Sequence, residues 1–321
     1  MTSMGKLPLE VVDAIVEKLC LHCTKITERL DGYQRKNRMA ALTSLCLTSR
    51  ALNQVATRHL YHRPDCAKWW LLAKTLIARK ELRSQVKHLV STGWKLNDEG
   101  GLLEHIEVIS ENERATLLPG YTAGETDGGM QIMCNLCPNV ERLEVNDGEF
   151  ENYFFRPPGS MTEVTYLEVT ADDPEYGFNI AELGVLFRAA PNIATLVCNE
   201  AGNCGDLPVT LSRVTRLDLD WCDLTAEAFE CVLGHCPNLE RLRYISKGFA
   251  YEASEPFTPR DAKEIIERSR NHLKRLKSFH LDMRQCEPEY CWMDEEVDVE
   301  EELEEAKEAL TALGIDFTFK A

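Results

Sequence analysis

Residues 214–242 read VTRLDLDWCDLTAEAFECVLGHCPNLERL. Val214, Leu217 and Leu219 are spaced so that apolar and polar residues alternate, the period of a strand with one buried face. After Thr225, which is suited to cap a helix, Phe229, Val232 and Leu233 recur at helical spacing. Leu239 and Leu242 then open the same apolar beat again. The stretch predicts one strand followed by one helix, and then the start of another strand.

The beat recurs along the chain. VERLEV (140–145), VTYLEV (164–169), IATLVC (193–198), VTRLDL (214–219), LERLRY (239–244) and LKSFHL (276–281) share it, and their starts lie 24, 29, 21, 25 and 37 residues apart. VKHLVS (86–91) is a weaker first copy, and Ile315, Phe317 and Phe319 suit a closing strand. Between copies, helical patterns intervene, as from Thr258-Pro259 through Ile265 and Ile266. Strand–helix units of this length, stacked, predict an α/β array: a parallel sheet lined outside by helices.

The quoted stretch resembles the cysteine-containing class of leucine-rich repeats, and the irregular intervals are then repeats with insertions. The resemblance implies that a small cysteine packs in the turn after the strand and that CPN ends the helix. Cys137, Cys222 and Cys236 occupy such places, which makes them core residues rather than nucleophiles.

Ahead of the repeats, LPLEVVDAIVEKL from Leu7 carries Leu9, Val12, Ile15, Val16 and Leu19 at helical spacing, with Pro8 in the first turn. A second helix is predicted from Arg38 to Leu47 after Asn37 as cap, with Met39, Leu42, Leu45 and Cys46 on one face. A third follows Ser49, carries Leu52, Val55, Ala56 and Leu60, and is stopped by Pro64. Three short helices bury little surface among themselves. Periodicity leaves two readings open, an interaction module or a helical cap on the next domain.

The two halves, LPLEVVDAIVEKL and ALTSLCLTSRALNQVATRHLYHRP, resemble in order an F-box of the type common in filamentous fungi. The resemblance implies that Leu7, Pro8, Val12, Ile15, Leu45, Leu47, Arg50 and Leu52 face a Skp-type adaptor, through which the chain reaches a cullin. It covers roughly residues 6–64. The segment from Leu21 to Lys36 departs from it, being longer and more charged than the usual link between the first two helices. CAKWWLLAKTLIARKELRSQVKHL (66–89) reads as an apolar joining helix, with Trp70, Ala73 and Ile77 on one face and Trp70 buried. The expected organisation is an F-box at 1–64, a linking helix at 65–85 and leucine-rich repeats at 86–321.

If the repeated apolar positions point inward, the intervening ones line the concave face, where an unidentified protein target would bind. Its middle row reads Glu144, Glu168, Val197, Asp218, Arg243 and His280, flanked by Arg142, Asn146, Tyr166, Asn199, Arg216, Asp220 and Arg241. Glu144, Glu168 and Asp218 precede Arg241, Arg243 and His280. The order fits either a target with a basic and an acidic or phosphorylated end, or a solvated strand face of mixed charge. Two loops, 120–130 (GYTAGETDGGM) and 247–257 with Phe249, Tyr251 and Phe257, are candidate specificity loops.

The formal charge of −17 is mostly local, because residues 287–308 hold twelve acids against Lys307 alone. The acidic run from Asp294 to Glu305 reads as a solvated loop entering a helix, with Leu303, Ala306, Leu310 and Leu313 on its buried side. Nucleic acid is excluded as a partner by this balance. No apolar run approaches the roughly 20 residues that cross a bilayer. With no export signal at MTSMGKLPLE, a cytoplasmic or nuclear location is expected, with thiols reduced.

Two CxxC pairs, Cys20/Cys23 and Cys134/Cys137, raise zinc binding. They are over a hundred residues apart and fall at a helix end and in a repeat, so packed thiols, no metal and no cofactor are expected. No catalysis is expected either: Cys222-Asp223 has no assignable base, and the eight histidines form no HExxH. The function predicted is the substrate-binding adaptor of a Skp-cullin-F-box ubiquitin ligase, with a repeat scaffold acting outside a ligase as the alternative.

Overall fold

The computed structural model describes residues 8–24, 32–91, 110–117, 129–146, 158–171, 177–247, 257–283 and 299–320. The fold is α/β, and the chain forms two compact units, residues 1–143 and 144–321. Among the described residues, no helix is long and apolar enough to cross a membrane.

The first unit opens with α1 (Leu9–Glu17), α2 (Gly32–Thr48) and α3 (Arg50–His62). The Pro8 carbonyl accepts the first α1 bonds, from the Val11 and Val12 amides at 3.0 and 3.1 Å. Ser49 caps α3, its hydroxyl accepting from the Leu52 amide at 3.3 Å. Pro64 acts as expected: it holds Arg63 out of the helical region, at φ −135° and ψ 81°, so α3 ends at His62. Asn37 is not a cap. It lies exposed inside α2, which starts at Gly32; an asparagine is tolerated in a helix when its amide points to water. Val12, Val16, Leu42, Leu52, Val55 and Ala56 form the core of the three helices, and Leu19, Leu45, Cys46 and Leu60 pack on it.

A fourth helix, α4 (Trp69–Ala78), buries Trp69, Leu72, Ala73, Leu76 and Ile77. These follow the i, i+3, i+4, i+7, i+8 spacing from its first residue, so Trp69 takes the buried place expected for Trp70, which is half-buried at the flank. A 3₁₀ turn (Lys80–Gln85), β1 (His88–Ser91), α5 (Glu111–Leu117) and α6 (Gly129–Leu136) complete the unit, and β2 (Arg142–Asn146) spans its boundary.

The second unit is a parallel sheet ordered β3 (Tyr166–Thr170), β5 (Thr195–Asn199), β7 (Arg216–Cys222), β8 (Arg241–Ser246), β9 (Ser278–Asp282) and β10 (Asp316–Lys320). Helices α7 (Gly184–Ala189), α8 (Ala226–Gly234), α9 (Pro259–Arg268) and α10 (Val299–Ala312) connect successive strands. A short pair, β4 (Phe178–Asn179) and β6 (Ala201–Asn203), lies beside these connections in sequence. Each quoted beat is thus a strand, and register carries the match through: Leu196, Leu217, Leu242, Phe279 and Phe317 share one row.

This row and the next, with Leu219, Tyr244 and Leu281, are buried. Phe229 of α8 enters them, its ring 5.5 Å from Tyr244 and 6.4 Å from Phe279, while Phe279 lies 5.3 Å from Phe317. Tyr244 also donates its hydroxyl to the Cys222 carbonyl at 3.2 Å, tying the turn after β7 to β8. Thr225 caps α8, and Thr258 with Asp261 forms a reciprocal capping box on α9. Leu303, Ala306 and Leu310 are the buried side of α10.

Candidate functional surfaces and a cysteine–histidine cluster

Helix α1 carries a wider apolar arc than its neighbours cover. With about 100° per residue, Val12 and Val16 fall together and Val11 and Ile15 lie to one side of them. Val12 and Val16 enter the core, whereas Val11 and Ile15 are exposed, as is Leu9. Leu47, in the last turn of α2, is the most exposed large apolar side chain described, at 83%. The residues expected to face an adaptor therefore divide. Pro8, Ile15, Leu47 and Arg50 are exposed, and Leu45 is half-buried against the core. Val12 and Leu52 are buried, because α1 and α3 turn them into the core that the three helices share. Leu7 lies outside the described residues.

On the second unit, parallel register places Glu168, Val197, Asp218, Arg243, His280 and Thr318 side by side on the strand face opposite the core rows. Glu144 is half-buried on β2. The charges pair with one another. Arg216 holds Asp218 through its Nε and Nη2 at 3.0 and 2.6 Å, and Arg243 reaches Asp220 at 2.9 Å. Tyr166 donates to Glu168 at 2.7 Å, as does the Asn199 amide at 3.3 Å, and His280 Nδ1 lies 2.9 Å from the Thr318 hydroxyl. Asp218 is thereby buried, and Arg241 is exposed beside the Arg216 position. Two carboxylates of this face, Asp218 and Asp220, are thus paired with Arg216 and Arg243, while Glu168 is held by the neutral Tyr166 and Asn199 side chains.

Trp221 adds an apolar element that sequence alternation did not isolate. It is 47% exposed and sits at φ 57°, a region costly for a bulky residue, and Glu200 holds φ 67° at the end of the preceding strand. Of the two candidate loops, 118–128 and 248–256 lie outside the described residues, including Phe249 and Tyr251. Phe257 is buried, 4.7 Å from Phe229 and 5.0 Å from Tyr244, and so belongs to the core.

In the second unit, Cys222 and Cys236 are packing residues. Both are fully buried, and burial pushes each thiol up to about 12, far from a reactive thiolate. Cys137 of the first unit is driven upward for the same reason.

Cys20 and Cys23 are different. The turn after α1 holds them against His59 and His62 in the last turn of α3, and the four potential ligand atoms lie within 4.8 Å of one another. Cys20 Sγ is 3.6 Å from His62 Nδ1, while Cys23 Sγ is 3.5 Å from His59 Nδ1 and 3.2 Å from His62 Nδ1. His59 Nε2 meets Asp13 Oδ1 at 2.9 Å, and Asp13 also pairs with Arg58 at 2.5 Å. The His59 bond and the Arg58 cation hold the Asp13 carboxyl below its usual range. Burial raises the Cys20 thiol, but hydrogen bonds from His59 and His62 outweigh it and bring it down to about 5. For Cys23, burial and the charge on Cys20 both act upward, to about 12.

The sequence contained both halves of this cluster, C-x2-C at 20–23 and H-x2-H at 59–62. Pairing the two CxxC motifs with each other hid it: Cys134 and Cys137 are buried and belong to no such cluster among the described residues. The signal was a second His pair one helix turn apart, on the face of α3 opposite its exposed polar side.

No family model matches the chain, and no curated protein matches it.

Proposed function

We propose that the chain is the target-binding adaptor of a Skp-cullin-type ubiquitin ligase. In this reading α1–α3 are an F-box that docks a Skp-type protein, and the parallel strands with their connecting helices are an irregular leucine-rich-repeat solenoid that holds the target. The observation that carries it is the unpartnered apolar surface of the helical module. Val11, Ile15 and Leu47 are exposed on a three-helix domain whose sequence resembles an F-box, and Trp221 is the single large apolar side chain described as exposed in the second unit. Small domains of this kind gain stability by covering such surface with a partner.

The chain would contribute no chemistry. The adaptor docked on α1 would link it to cullin and the RING subunit, in cytoplasm or nucleus, and raise the effective concentration of target lysines near the charged conjugating enzyme. The target would meet the polar strand face around Asp218, Arg243 and His280, with Trp221 at its edge as the strongest single anchor. Affinity capture of the tagged chain tests this. A Skp-type protein and a cullin are expected with the wild type and not with Ile15→Glu, while Trp221→Ala is expected to keep both and lose targets. Targets recovered with no Skp or cullin would instead make the chain a scaffold outside any ligase.

A further inference from the structure

We infer that Cys20, Cys23, His59 and His62 form a structural zinc(II) site that fastens the end of α1 to the end of α3. Tetrahedral zinc with bonds of about 2.3 Å to sulfur and 2.0–2.1 Å to nitrogen requires sulfur–nitrogen edges of about 3.6 Å. The three measured edges, 3.2, 3.5 and 3.6 Å, already lie near that value. Two thiolates and two imidazoles in a closed four-ligand set select zinc over magnesium or calcium, and they leave no open position for a substrate.

The surroundings are those of a ligand set. A carboxylate accepts and does not donate, so the 2.9 Å contact to Asp13 fixes the proton of the His59 ring on Nε2. In the neutral ring that a metal would bind, Nδ1 then carries the lone pair, and it faces the Cys23 sulfur at 3.5 Å. This is the carboxylate–histidine support that metal-bound imidazoles use. His59 and His62 lie three residues apart on α3, so one helix turn aims both rings to the same side. The histidine spacing is one residue shorter than in common finger motifs, which the helix accommodates. Cys20 and His59 are buried, and Cys23 and His62 half-buried, so the site is enclosed by its own helices.

A site here has a structural reason. Among the described residues the three-helix core holds six buried side chains, few for an independent domain. Cross-linking Cys23 to His59 closes the loop of 35 intervening residues that contains the charged departure from the F-box pattern. Binding requires both sulfurs as thiolates and both rings neutral, so the protons that the sulfurs and imidazoles carry between them leave to solvent, with no change in oxidation state. The site is independent of what the module docks.

The test uses the full-length reduced chain, saturated with zinc, gel-filtered and assayed for metal by mass spectrometry. About one zinc ion per chain is expected. Cobalt(II) in its place should give the intense visible bands of tetrahedral thiolate coordination. Zinc content should fall at least tenfold in Cys20→Ser/Cys23→Ser and stay unchanged in Cys134→Ser. Asp13→Asn should weaken zinc binding about 10–100-fold without removing a ligand. Because the double variant could unfold, Cys23→His, which keeps a fourth donor, should restore binding. A chain that takes up no zinc, weak octahedral cobalt bands, zinc retained by the double variant, or a Cys20–Cys23 disulfide in chain isolated from reducing cytosol would each overturn the inference.

Discussion

Replacing Phe229 with alanine removes the side chain through which α8 enters the sheet. The ring is fully buried, with Phe257 at 4.7 Å, Tyr244 at 5.5 Å and Phe279 at 6.4 Å. Truncating a buried phenylalanine costs about 3–5 kcal/mol, of which the lost ring–ring contacts supply about 0.5–1.5 kcal/mol each. Domain stabilities are about 5–15 kcal/mol, so the variant should lose a large share of the second unit's margin. Leucine keeps most of the volume but forfeits the three ring contacts, so Phe229→Leu should cost about 1.5 kcal/mol or more and stay below the alanine variant. Urea unfolding followed by far-UV circular dichroism measures both, and limited proteolysis identifies which unit opens first. Alanine should be worse than leucine, and the new cuts should fall within 144–321. If both variants unfold within about 0.5 kcal/mol of the wild type, the aromatic cluster does not hold helix to sheet.

Thr258→Ala removes one half of the capping box on α9 and should cost about 1 kcal/mol, while Thr258→Ser should cost little; equal losses would show that the methyl group, not the hydroxyl, matters. Asp223 is half-buried, and burial raises its carboxyl above the ordinary range, with Lys247 acting weakly in the opposite sense. A raised folded-state value means that its contribution favours folding below the unfolded value of about 3.9 and is lost as pH rises through the folded one. Asp223→Asn should therefore melt higher than wild type at neutral pH, with the difference shrinking as pH is lowered towards that value; a difference that is constant or grows on acidification would contradict the assignment.

Much of the second unit is legible in the sequence. Alternation with one face fully apolar leaves a strand no alternative register, since a slip of one residue would turn Leu217 and Leu219 to water and Asp218 inward. All six strong beats, the weak one at 86–91 and the closing one at 315–319 accordingly match strands β1–β3, β5 and β7–β10. Two-residue β4 carries no period to read, and it exists beside Gly177, whose φ of 64° and contact with the Glu200 carbonyl at 2.6 Å from a would-be Cβ admit no side chain. In the first unit, Leu9, Val12, Ile15 and Val16 share one helical spacing in the sequence, and only packing separates buried Val12 and Val16 from exposed Leu9 and Ile15. The start of α2 is not legible in the sequence, because GYQRK (32–36) carries no apolar repeat at helical spacing. The strand face is legible by position, but which charges pair depends on side-chain reach between rows: Arg216 turns to Asp218 on its own strand and Arg243 back to Asp220 on the preceding one. The cysteine–histidine cluster joins residues 36 to 42 positions apart, a proximity that no local pattern contains.

The docking claim is tested most directly by calorimetry between the purified chain and a purified Skp-type adaptor from a fungus. Ile15→Glu and Leu47→Glu change exposed side chains and should leave the melting temperature within a degree or two, whereas each should weaken binding about 30-fold or more, the loss of roughly 2 kcal/mol that marks an interface anchor. Absence of binding by the wild-type chain, or wild-type affinity in both variants, would contradict the assignment of α1–α3 as an adaptor-docking module.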